Sequence, residues 1–179
     1  DTSSLKFSDS RVFPSLVIAT FLGISNACIV LTSSLFVNDV ILENKDNLYF
    51  FVSLGFAIVA LSGLLTQLLL VDRYTFNPKI LVITGITLMA GVFYLLSNTS
   101  EIIWFYLLLM IYGFGGGLAR PGNVSILSLS VNKDEQGAAS GLMGTVFPLG
   151  HLITPFSIMP LYMMDPSFPY LLISILGLF

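Results

Sequence analysis

One histidine, one arginine and a few amides stand inside apolar runs of this chain, where polar groups are costly and mark function by default. His151 lies near the middle of the run Ala138–Met164, between Pro148 and Pro155. Prolines there loosen a helix and leave carbonyls to be satisfied elsewhere. The imidazole fits two roles: a neutral ring hydrogen-bonded between helices, or a midplane group that binds substrate or takes up a proton. Arg120, counted from Ile102 at one surface, lies about 27 Å down its run, close to the opposite interface. It either snorkels to the headgroups or holds a ligand or ion-pair partner. Asn26, Gln67 and Asn123 each either tie neighbouring helices together or line a solute path.

Other chemistry is missing. No Asp or Glu falls within any apolar run, and the chain has no H-E-x-x-H, no CxxC and no G-x-S-x-G. The glycines Gly113, Gly115, Gly116 and Gly117 lack the G-x-G-x-x-G spacing of a nucleotide loop and follow an apolar stretch. Nothing therefore implies an enzyme, a metal, a cofactor or a nucleic-acid partner. Cys28 is the only cysteine, so no internal disulfide is possible.

The elements that carry these residues follow from composition. Of 179 residues, 55% are hydrophobic and only 9% charged. A soluble domain carries roughly 25% charge, so the solvent implied here is lipid. Apolar runs cover residues 13–37, 48–71, 80–97, 102–128, 138–164 and 168–179. The charges fall between them: Asp39, Glu43, Lys45 and Asp46, then Asp72, Arg73 and Lys79, then Glu101, then Lys133, Asp134 and Glu135, then Asp165. Runs this long without alternation read as helices, because a backbone in hydrocarbon must satisfy its polar groups within the segment. The fold class is an all-α membrane protein, a six-helix bundle in one domain. Its last run is too short to cross a core of about 30 Å. The chain reads as a fragment of a longer protein.

Basic residues set the orientation. With the N-terminus inside, Lys6, Arg11, Arg73, Lys79 and Lys133 are cytoplasmic and only Lys45 is outside. The third and sixth runs are nearly pure hydrocarbon and can face lipid all round. The other four carry polar or helix-bending residues and suggest a wet cavity. Gly137, Gly141 and Gly144 recur with Pro148, His151 and Pro155 on one face of the fifth run, as a small-residue packing seam would. Gly113 and Gly117 in the fourth run serve the same purpose, and Gly113, Gly116, Arg120 and Asn123 share a face.

The stretch GFGGGLARPGNVSILSLSVNKDEQGAASGLMGTVFPLGHLITP, Gly113–Pro155, resembles helices 10 and 11 of major facilitator drug:proton antiporters, with the tetracycline-efflux branch the nearest likeness. Gly113, Gly115, Gly117, Pro121, Glu135, Gln136, Gly137, Gly141, Gly150 and Pro155 match that pattern. LLLVDRYTFNPK resembles the family's cytoplasmic loop G-x-x-x-D-R-x-G-R-R/K. Asp72, Arg73 and Lys79 fit it, while Leu68 and Thr75 replace its glycines. The resemblance implies helices 7 to 12 of a twelve-helix transporter, built as two three-helix inverted repeats, with 9 and 12 peripheral. It implies secondary active transport of a small-molecule substrate across a plasma membrane, driven by a proton or another coupling ion, with export of amphiphilic compounds. Its partners would be lipid and a missing N-terminal six-helix half, which would hold the main proton-binding carboxylate. The alternatives are uptake of a metabolite such as a nucleoside or sugar, and a non-transporting scaffold or receptor module.

Overall fold

A computed structural model describes residues 5–41 and 47–178. Glu43, Lys45 and Asp46 of the first gap lie outside the described residues. The described chain is helical throughout. Its helices are α1 (Phe13–Phe36), α2 (Leu48–Thr66), α3 (Pro78–Leu96), α4 (Ile102–Ser130), α5 (Gln136–Met164) and α6 (Phe168–Leu176). The first five are long and apolar enough to cross a membrane. The nine residues of α6 span about 14 Å.

Helix starts are local chemistry. Pro14, Pro78 and Pro169 occupy first-turn positions, where a missing N–H costs nothing. The Asn77 side chain caps α3 by accepting the Lys79 N–H at 3.0 Å. Both α1 and α2 run on into a π-helical turn, Val37–Ile41 and Gln67–Val71. In the second turn the Asp72 N–H reaches back five residues to the Gln67 carbonyl at 2.9 Å. Such turns widen a helix and often mark functional sites.

Partner choice is crossed. α1 packs chiefly along α5, and α4 packs along α2. The first helix of each three-helix unit thus lies on the second helix of the other, as inverted repeats require. α3 also lies along α4, whereas its counterpart contact, α6 on α1, is small because α6 is short.

Glycines set both crossings. A methyl group at Gly117 would stand 2.7 Å from the Gly63 carbonyl oxygen, and one at Gly113 would run into Val59. On the other side, a methyl at Gly150 would stand 2.6 Å from the Ile24 nitrogen, and Gly23 meets the Phe147 carbonyl. Backbones this close gain dispersion contacts that lipid tails cannot match.

The α5 seam differs from the expected one. Gly137, Gly141 and Gly144 have nothing within 4 Å of a would-be Cβ. The face that packs is Ala139, Val146, Gly150, Thr154, Ile158 and Tyr162, one residue round the helix. α3 is likewise more than a lipid-facing helix. It buries Leu81, Gly85, Met89 and Phe93, and Gly85 approaches Gly115 of α4. Hydropathy cannot separate these roles, since lipid tails and helix interfaces are about equally apolar.

Away from the basic loops, Phe36, Phe93, Phe105, Tyr112 and Tyr170 form an aromatic core. The Tyr170 ring stands edge-on to Phe36 at 5.0 Å, and its hydroxyl lies 2.9 Å from that of Thr32. A buried ring with its one polar atom paired is a stable arrangement.

Candidate functional site

The two crossings leave a cleft of about 360 Å³ between α1, α2 and α4. Asn26, Gln67 and Arg120 all line it, with the Tyr112 ring at its wall. Three of the polar residues singled out by sequence therefore share one site. Gln67 arrives from the first position of the π-helical turn, which opens α2 at that level.

His151 joins from behind. Its Nε2–H donates to Asn26 Oδ1 at 3.2 Å across the α1/α5 crossing, and Nδ1 stands 3.4 Å from the Phe147 carbonyl. The ring is half-buried, on the margin between the packed face of α5 and its open face. A hydrogen bond across helices and a place beside the cleft thus coexist in one residue.

Arg120 lies about two-thirds of the way along α4. α4 continues to Ser130, ten residues further, so Arg120 sits about 15 Å from that helix end. Its guanidinium lies over the Phe147 ring, 5.3 Å from the centroid. Phe147 is itself eleven residues from the start of α5, so the guanidinium lies about level with its own backbone along the bundle. Arg120 makes no hydrogen bond or ion pair among the described residues. It also borders a second cleft of about 520 Å³ between α1, α4 and α5, where Ser140 and Gly144 present the open face of α5.

Asn123 is absent from that first cleft and lines the second one with Arg120. It is 1% exposed, and its amide donates to the Ser15 carbonyl of α1 at 2.9 Å. The structure gives it a helix-tying contact. Asp72 and Arg73 lie exposed in the α2–α3 loop and Lys79 exposed in the first turn of α3, without an ion pair among the described residues. Gly113 and Gly117 serve the α2/α4 crossing; Gly137, Gly141 and Gly144 remain open. Sequence reasoning missed Phe147 and Tyr112. Neither carries a signal beyond being aromatic, and Phe147 stands out only in retrospect, four residues before His151.

One ionic cluster lies outside the membrane-spanning helices. Arg11 donates to Asp9 at 2.8 Å and to both Glu135 oxygens at 3.0 Å, joining the start of α1 to the α4–α5 connection. Glu135 also accepts the Asn132 N–H, closing a capping box on the turn Lys133–Glu135. The Arg11 guanidinium holds both carboxyls below the usual carboxylate range. Among the described residues no His, Cys, Asp and Glu gather as a metal site would need.

Crossed three-helix units around a polar cleft at membrane depth define an integral membrane protein of the transporter class. The Major Facilitator Superfamily profile matches residues 3–155, most of the chain, and the chain belongs to that family of secondary transporters. No curated protein and no solved structure matches it significantly.

Proposed function

We propose that this chain is the C-terminal six-helix half of a proton-coupled exporter of amphiphilic compounds, working by alternating access. The observation that carries the reading is the meeting of Asn26, Gln67 and Arg120 in one cleft, with His151 bonded to Asn26 behind it. The clefts and the open glycine face of α5 lie on the faces of α1, α2, α4 and α5 that a second six-helix half would cover. No Asp or Glu lies within the six α-helices, so the main proton-binding carboxylate belongs to that other half. The end bearing Arg11, Arg73, Lys79 and Lys133 is cytoplasmic, in the plasma membrane.

Full-length protein in proteoliposomes tests the function. A pH gradient should drive vectorial movement of an amphiphilic dye, and collapsing the gradient should stop it. Flux that ignores the gradient, or none for dyes and metabolites alike, would remove proton-coupled export. Orientation is tested separately by cysteine labelling in a Cys28→Ala background. Thr75 and Lys133 positions should label from the cytoplasm and Ser167 from outside, and the reverse would overturn the assignment.

A further inference from the structure

The cleft between α1, α2 and α4 has a one-sided chemistry. Its polar groups offer donors: the Arg120 guanidinium, the Gln67 amide and the Asn26 NH₂, whose own oxygen is engaged by His151. Tyr112 is 2% exposed, and its hydroxyl has no hydrogen-bond partner. No carboxylate lines the cleft among the described residues, and the six helices contain none. Asp72 follows the π-helical turn in the exposed loop, and Asp39, at the other end of α1, accepts from the Tyr162 hydroxyl at 3.2 Å. The one charged group lining the cleft is a guanidinium without an acidic partner among the described residues, and an oxyanion from outside would supply that partner.

Arg120 is arranged to meet it. The guanidinium lies over the Phe147 ring, and the N–H groups around its edge have no partner among the described residues. That edge matches the two oxygens of a carboxylate or similar oxyanion. The rest of the cleft is apolar, with Phe56, Val59 and Leu64 along its sides. A cation would meet the arginine's charge at close range with nothing to offset it.

We propose that this cleft selects organic anions: its ligand is a small amphiphile whose oxyanion seats on the edge of Arg120 and whose apolar body lies along α2. The proposal rests on the transport reading above and narrows its substrate to one charge class.

The test uses full-length protein in phosphatidylcholine nanodiscs at neutral pH and three probes of one shape: 1-naphthaleneacetate, 1-naphthaleneacetamide and 1-naphthylmethylammonium. Titration calorimetry should show the carboxylate binding at least about tenfold tighter than the amide, the step from a neutral to a charge-assisted hydrogen bond. The ammonium should bind weakest. Arg120→Gln should abolish the preference and Arg120→Lys should keep part of it. Gln67→Glu, which leaves Arg120 in place but supplies an internal carboxylate, should abolish it too. Equal binding of all three probes, binding of none, or a preference that survives both Arg120→Gln and Gln67→Glu would overturn the anion site. Adding phosphatidylglycerol to the nanodiscs should leave the affinity unchanged, whereas a tenfold loss would assign the seat to a lipid headgroup and overturn the solute reading. Proteoliposome flux separates the two levels. Anion-selective binding without flux sinks transport and spares the site; flux without charge preference sinks the site and spares transport.

Discussion

The two glycine crossings of this bundle have the same backbone design and different cargo. At α2/α4, Gly63, Gly113 and Gly117 bring the helices together. The Ser62 hydroxyl on the Met110 carbonyl at 2.7 Å and the Tyr106 hydroxyl on the Phe51 carbonyl at 3.1 Å are polar ties between them. At α1/α5, Gly23 and Gly150 do the same, but the interface also holds the Asn26–His151 hydrogen bond, with Phe147 under Arg120 beside it. Both joints border the cleft, but with different groups: the α2/α4 side brings Gln67 and the Arg120 guanidinium, and the α1/α5 side brings Asn26 with His151 bonded behind it. A close backbone contact can thus be reused by the second three-helix unit while each copy carries its own site chemistry.

The largest expected effect breaks the frame at the α2/α4 joint. Gly117→Val places its Cβ against the Gly63 carbonyl, and a backbone atom cannot move aside as a side-chain tip can. Overpacking of this kind costs about 1–3 kcal/mol, occasionally more. Thermal unfolding followed by size-exclusion should show a clear drop in stability, with Gly150→Val similar at the other crossing. Gly91→Ala, where nothing lies within 4 Å, should be neutral. If Gly117→Val melts like Gly91→Ala, the α2/α4 crossing is looser than described.

A smaller effect should separate the crossings by function. Hydrogen bonds between membrane helices contribute about 1 kcal/mol or less, so Ser62→Ala and Asn26→Leu should cost similar, modest stability. Only Asn26→Leu should alter transport, because it removes the acceptor that positions His151. His151→Gln, which keeps a donor toward Asn26, should preserve expression and insertion while lowering substrate affinity or moving the pH optimum. Normal transport by His151→Gln from pH 5.5 to 8 would reduce the histidine to packing and make the two crossings equivalent.

Much of this frame is legible in the residues alone. Six apolar runs become six helices because hydrocarbon admits no other backbone solution for such segments. Asn26, Gln67, Arg120 and His151 stand out because polarity at depth is expensive whatever its purpose. Two things resist such reading. The helix phase on α5 is one: Gly144 and Gly150 are both small, and only the partner helix decides that Gly150 is the contact. The other is Asn123, which shares a helical face with Arg120 by spacing, yet turns to the Ser15 carbonyl because α1 supplies an acceptor there. Spacing gives the angle around a helix but not what waits at that angle.

The smallest expected effect concerns the ion cluster that braces the α1/α5 side where the α2/α4 crossing shows no such pair among the described residues. Arg11 links Asp9, just before α1, to Glu135, just before α5. All three groups are outside the apolar helices and at least partly exposed, so the cluster is screened by salt and contributes through position more than energy. Its pH dependence has a definite sign. Asp9 and Glu135 ordinarily titrate near 3.8 and 4.5, and Arg11 lowers both. A carboxylate whose folded pKa is depressed contributes stability that is fully present above its unfolded value and is lost as pH falls through the folded one. The brace should therefore hold at pH 5 and above and release only below about 4.5, the unperturbed Glu135 value. Spin labels at Phe7 and Asp134 can follow it, since their distance distribution should broaden at acid pH. In Arg11→Gln the carboxylates lose the cation that lowered them. Broadening should then be present already at neutral pH and change little with acid. Identical narrow distributions in both proteins across that range would show that helix packing alone sets the α1/α5 geometry at this end.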